Sequence, residues 1–290
     1  MNILSLYTSL PSTVAIYQDG KIVAATHEER FTRKKNDERF PCQSIDYCLK
    51  EAGLRSKDLD AVSIAGFLTG SYADTVTCKS TWSVEDYLRE QYERWLPITR
   101  GERESSLSPL DIFPEKINLD LYPNGVLRKW IDEPDRNDLW QKGRELIVAN
   151  YLNISESKIR RIEHHRCHAA YSYYASPFRG EKILAFTIDG SGDGLNATIG
   201  IFDENGGYKR HYQTSECNIG RIYRYMTLML GMKPNEHEFK VMGLAPYGKA
   251  KYAQKALDVF KSTLYVDGIE FKWREKPSDS YFWFKERLEG

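Results

Sequence analysis

The chain has 290 residues, and its 41 Lys and Arg balance its 41 Asp and Glu to a formal charge of zero. That balance removes the electrostatic argument for nucleic acid or for an anionic membrane surface, and 41% hydrophobic with 28% charged residues excludes wholesale disorder. No stretch approaches the ~18 consecutive apolar residues of a membrane-spanning helix, Met1-Asn2-Ile3-Leu4-Ser5-Leu6 has no basic region ahead of an apolar run, and five cysteines without a CxxC pair fit reduced thiols in the cytosol.

The chain opens with strand patterns at Ile3–Tyr7, Thr13–Tyr17 and Ile22–Thr26. Asp19-Gly20 joins the last two, a dipeptide that tolerates positive φ at both turn positions. A charged stretch, His27 to Phe40, precedes a helix predicted over 43–52 from the spacing of Ile45, Cys48, Leu49 and Ala52. Asp60–Gly66 reads as a short buried strand. Trp82–Trp95 and Arg136–Tyr151 carry helical patterns. Pro97, Gly101, Pro109, Pro114, Pro123 and Gly125 lie between them and predict an irregular excursion over 70–135. Strands return at Lys182–Ile188, Ala197–Phe202 and Tyr208–Tyr212, the last two joined by Asn205-Gly206. A strand followed by a hairpin thus occurs twice, and it divides the chain into 1–180 and 181–290.

Four segments carry chemistry. In Glu163-His164-His165-Arg166-Cys167-His168, a helix puts His164 and His168 on one face, where two imidazoles can reach one metal or simply satisfy each other's surroundings in a core. Phe186-Thr187-Ile188-Asp189-Gly190-Ser191-Gly192-Asp193-Gly194 ends an apolar strand in an acid and a glycine-rich turn. Such a turn suits phosphate oxygens or a cation, or is an ordinary hairpin; it is neither a Walker loop nor a dinucleotide fingerprint. Glu28–Asp37 is either a solvated charged loop or one that delivers a lysine to an anion. Glu238-Phe239-Lys240-Val241-Met242-Gly243-Leu244-Ala245-Pro246-Tyr247-Gly248 reads as packing plus a turn.

Taken in this order, the opening hairpin, EERFTRKKND, EHHRCHAA, TIDGSGDG and EFKVMGLAPYG resemble the O-carbamoyltransferases of the nodulation and antibiotic-tailoring type. The resemblance implies an α/β protein of the actin-like, ribonuclease-H-like superfold, similar to tRNA threonylcarbamoyl-transferase relatives. Residues 1–180 would form a first lobe and 181–290 the start of a second. It implies that carbamoyladenylate, made from carbamoyl phosphate and ATP in a C-terminal YrdC-like domain, gives its carbamoyl group to an acceptor hydroxyl. It also implies His164, His168 and Asp189 as ligands of an iron-type divalent metal, Gly190, Ser191 and Gly192 as the phosphate-facing turn, and Lys35 as the residue that steadies developing negative charge.

Two positions depart from the family pattern: Leu10-Pro11-Ser12-Thr13 replaces a histidine-bearing His-Asp-Ala-Ser, and Asn36 stands where relatives have histidine. Two lobes and an activating domain need roughly 500 residues, so the chain is expected to act with a further domain or a partner chain. The aromatic run Tyr281-Phe282-Trp283-Phe284 is then expected to lack a core of its own. The alternative is a non-catalytic lobe that binds metal or nucleotide. An actin-like sugar kinase would leave the H-x-x-x-H pair without a role.

Overall fold

The computed structural model describes residues 1–277 and 279–289. The chain divides into two compact units, one of Met1–Thr81 with Ser108–Cys167, the other of Trp82–Leu107 with the chain from His168 onward.

The first unit is built on β1 (Asn2–Tyr7), β2 (Thr13–Gln18), β3 (Lys21–His27), β4 (Ala61–Ala65) and β5 (Ile159–Ile162), in the sheet order β3-β2-β1-β4-β5. The first three strands are antiparallel, β4 runs parallel to β1, and β5 parallel to β4. This mixed sheet is the arrangement expected of a ribonuclease-H-like lobe. Alternation decides which side is buried: Leu4, Leu6, Val14, Ile16, Val62 and Ile64 all face the core. Asp19 and Gly20 take φ of 47° and 89°, so the dipeptide makes the tight turn its sequence predicts.

Helix Cys42–Glu51 packs on β2 and β3 through Ile45, Cys48 and Leu49. Its own N-cap, Pro41, offers no side-chain acceptor. The buried carboxylate of Glu28 supplies one instead, accepting from Gln43 N at 3.2 Å and from Ser44 N at 2.8 Å. A negative charge there answers the orphan N–H groups and the positive end of the helix.

The stretch 70–135 differs from the irregular excursion that its prolines predict. Pro109, Pro114 and Pro123 each open a short helix or 3₁₀ turn at its first position. A missing N–H costs nothing there and a fixed φ helps, so these three start helical turns rather than end them. Pro97 instead lies inside a helical run, just after the π-helical stretch Glu90–Trp95.

The second unit contains β6 (Ile183–Gly192), β7 (Leu195–Phe202) and β8 (Tyr208–Thr214), an antiparallel sheet in that order. A ribbon of β9 (Leu264–Asp267) and β10 (Glu270–Trp273) follows. The run Tyr281–Phe284 corrects the expectation that it lacks a core: Tyr281, Trp283 and Phe284 are buried. Phe284 meets Phe260 of helix Ala250–Lys261 at 5.5 Å, Phe282 meets Tyr92 at 5.3 Å edge to face, and the Arg287 guanidinium lies 3.7 Å over Trp283. Aromatic pairs and a stacked cation therefore seat helix Phe282–Glu289 within this unit. Among the described residues no helix is long and apolar enough to cross a membrane.

Candidate metal centre

Helix His164–Tyr174 starts at His164 because Glu163 caps it. The Glu163 carboxylate accepts from His165 N at 3.1 Å and from Arg166 N at 2.8 Å, and its carbonyl takes the Cys167 N–H at 3.0 Å. Further along, Ala169 and Tyr173 are buried with Ala185 and Phe202. Tyr173 stacks on Phe202 at 4.4 Å, with the rings 3° from parallel, and donates its hydroxyl to Asp203 O at 3.2 Å. These contacts fix the rotation of the helix over the β6–β7 sheet, and hence the direction in which its fifth residue, His168, points.

Strand alternation does the same for the acid. Ala185 and Thr187 face inward, with Thr187 Oγ1 and Thr198 Oγ1 2.7 Å apart across the hairpin, so Asp189 continues the inward face. His168 Nε2 lies 3.3 Å from Asp189 Oδ2, while Asp189 Oδ1 accepts from Gly190 N at 2.6 Å. One ligand atom from each of His164, His168 and Asp189 lies within 4.8 Å of the other two. His165, between them in sequence, is buried and outside this group.

Two neutral imidazoles and one carboxylate fit a divalent transition metal of the iron or zinc kind. The His168 side chain is 52% exposed, which leaves an approach for a ligand from solvent. The five cysteines are free thiols. Burial pushes Cys48 up to about 11 and Cys78 up to about 12, so neither is a nucleophile near neutral pH.

The glycines beyond Asp189 lie differently from a simple turn. Gly190, Ser191 and Gly192 belong to the end of β6, where the register with β7 shifts between Ile188 and Gly192. The tight turn is Asp193-Gly194, with φ of 51° and 79°. A Cβ on Gly190 would meet nothing within 4 Å, so that backbone is open to a close-approaching group.

Sequence reasoning missed Gly220, at the start of helix Ile219–Met229. A Cβ there would stand 2.9 Å from Gly190 N and 3.0 Å from Gly190 Cα, so only glycine lets this helix press against the Asp189–Gly190 backbone. The signal in the sequence is a single glycine two residues after Asn218, which the helical pattern around it conceals.

Lys35 belongs to the first unit, on the loop after β3, where its ammonium pairs with Glu29 at 3.1 Å. Glu29 also accepts from Asn36 N at 2.7 Å.

The sequence pattern described as "Carbamoyltransferase N-terminus" matches residues 3–284. The chain belongs to that family. Protein sll1178 of Synechocystis sp. is 34% identical over 252 residues, covering 85% of this chain and 34% of its own length. Nodulation protein NolNO of Sinorhizobium fredii is 27% identical over 234 residues, covering 80% of this chain and 27% of its own. The chain thus spans about a third of these relatives. Among solved structures, YeaZ from Pseudomonas aeruginosa aligns over 74% of this chain and 68% of its own, with a TM-score of 0.30 and 11% identity. Every segment that carries the family resemblance, from the opening hairpin to Gly248, lies within the matched span.

Proposed function

We propose that this chain supplies the transfer half of a carbamoyltransferase, moving a carbamoyl group from carbamoyladenylate to a hydroxyl on a small-molecule acceptor. Membership of the carbamoyltransferase N-terminus family supports carbamoyl transfer in general. The observation that carries the finer reading is the convergence of His164, His168 and Asp189 on one point.

In this reading the acceptor oxygen bonds to the carbamoyl carbon. The bond from that carbon to the phosphate oxygen breaks, AMP leaves with the electron pair, and the hydroxyl proton passes to solvent. An iron-type divalent ion bound by the three side chains supplies Lewis acidity at the carbamoyl oxygen. Gly190, Ser191 and Gly192 offer backbone near the phosphate, and the open face of Gly190 permits that approach. The family resemblance gives Lys35 the role of supplying positive charge to the oxygen that becomes negative. ATP enters upstream, where a YrdC-like domain or a partner chain makes the carbamoyladenylate, and cytosolic conditions keep the five thiols reduced.

A second reading, a lobe that binds without turning over until another polypeptide joins it, is favoured by the free side of the second sheet. Among the described residues β6 is an edge strand, and on its outer face, where Phe186 meets Phe271 of β10 at 6.5 Å, Leu184, Phe186 and Ile188 stay 68%, 48% and 43% exposed.

Carbamoyl transfer from synthetic carbamoyladenylate to a panel of hydroxyl acceptors separates the two. Transfer by the chain alone, lost in His168→Ala, supports catalysis. Metal binding without transfer, even when a YrdC-like domain is added, rejects it.

A further inference from the structure

Lys35 does not stand alone. The Glu29 side chain is 9% exposed, whereas that of Lys35 is 64% exposed, so the pair is anchored at its acidic end. Lys35 Nζ donates to Glu29 Oε1 at 3.1 Å and to Oε2 at 3.4 Å, and Asn36 N donates to Oε2 at 2.7 Å. The carbonyl of the same glutamate accepts from Arg33 N at 3.0 Å. Glu29 therefore grips the loop at Arg33 and at Asn36, its two residues in left-handed conformation, with φ of 59° and 54°.

The surroundings make this grip rigid. Glu28 N donates to Ser12 O at 3.0 Å, and Ser12 N donates to Asp37 O at 2.9 Å, so both ends of the segment are tied to one fully buried residue of the first hairpin region. Charge follows the same logic. Burial alone would raise the Glu29 carboxyl, but the Asn36 N–H, the Lys35 ammonium and nearby His27 outweigh it and hold the group below the usual carboxylate range. Glu29 is an anion at neutral pH. Lys34, the exposed neighbour of Lys35, has no ion pair among the described residues and serves as an internal reference.

We propose that Glu29 is the positioning residue of Lys35: its carboxylate fixes the ammonium and, through the Asn36 N–H, the loop that carries it, so that a preset positive charge meets an anionic ligand. This rests on the reading of Lys35 given above. The gain is entropic, because a free lysine gives up rotamer freedom when it engages a ligand and a held one has already given it up. An ammonium has three hydrogens, and Glu29 uses at most two of them, which leaves one for the ligand.

Competitive acetylation of the folded chain with acetic anhydride, resolved by peptide mass spectrometry, tests the pair directly. Lys35 is expected to react about threefold more slowly than Lys34, the protection of a modest ion pair. Glu29→Gln still offers an amide oxygen to Asn36 N but no charge, and should bring Lys35 up to the rate of Lys34. Glu29→Asp should restore part of the protection. Equal rates for the two lysines in the unaltered chain, or a Lys35 rate indifferent to Glu29→Gln with the circular dichroism unchanged, would make Glu29 a loop brace only and overturn the proposal. In carbamoyl transfer, Glu29→Gln should lower kcat about tenfold while the donor KM stays within about twofold. A Lys35→Ala variant that transfers normally would count against the role of Lys35 alone, since acetylation reads the pair without any turnover.

Discussion

The two sheets begin alike and end differently. Each opens with an antiparallel three-strand meander whose two-residue turn has positive φ at both positions, Asp19-Gly20 in one and Asp193-Gly194 in the other. In the first, β1 has β2 on one side and β4 on the other, and Leu4 and Leu6 are almost completely buried. In the second, among the described residues β6 pairs with β7 only, and its outer Leu184 is 68% exposed. The same alternation thus buries one face in each, Leu4 and Leu6 in the first and Ala185 and Thr187 in the second, but leaves the outer face of β6 apolar and exposed. What differs is the covering of that outer face, and Asp189 meets His168 at the end of β6 on its inner side.

The largest effect that would sharpen this comparison is in the first sheet. Leu4→Ala or Ile16→Ala should cost about 2–5 kcal/mol, measured by urea unfolding, because each leaves a cavity in a closed core. A pH effect comes next. Burial raises the carboxyl of Glu38 to about 7, against backbone and charge partners that pull it down. The folded state therefore holds a proton that the unfolded chain has released, and this contribution is complete below about pH 4.5 and lost as pH rises through about 7. Glu38→Gln should flatten stability over that window in the first unit; a slope that survives the substitution would show that another group carries it.

Gly220→Ala should cost about 1–3 kcal/mol by forcing backbone against backbone, and should weaken metal binding, read by titration, because the Asp189–Gly190 segment must shift. The smallest effect is the counterpart of the first. Leu184→Ser on the open face should change stability by no more than about 0.5 kcal/mol. A loss as large as that of Leu4→Ala would show that something covers β6 in solution, and the contrast between the sheets would fail.

The sequence revealed what depends on local period and turn chemistry. The alternation of Leu4 and Leu6, the Asp19-Gly20 turn and the four-residue spacing of His164 and His168 could all be read directly, whereas the sequence puts the turn after Asp189 at Gly190–Gly192 and it lies at Asp193-Gly194. The parts that escaped depend on tertiary placement. Prolines 109, 114 and 123 look like breakers until their position at the start of a helical turn is known. Glu28 caps a helix 14 residues downstream, and Glu29 pairs with Lys35 across a loop whose two left-handed residues are not glycines. The expectation that the aromatic run at 281–284 lacks a core comes from chain length alone, and length says nothing of the rings it meets, Tyr92 and Phe260.

The most direct test of the metal centre is elemental analysis of the purified chain after anaerobic equilibration with ferrous ion and dialysis. The account predicts about one metal ion per chain, falling to less than about a tenth when His164→Ala and His168→Ala are combined, because the chelate needs both imidazoles. Full occupancy in the double variant would place the metal elsewhere and contradict the centre described here.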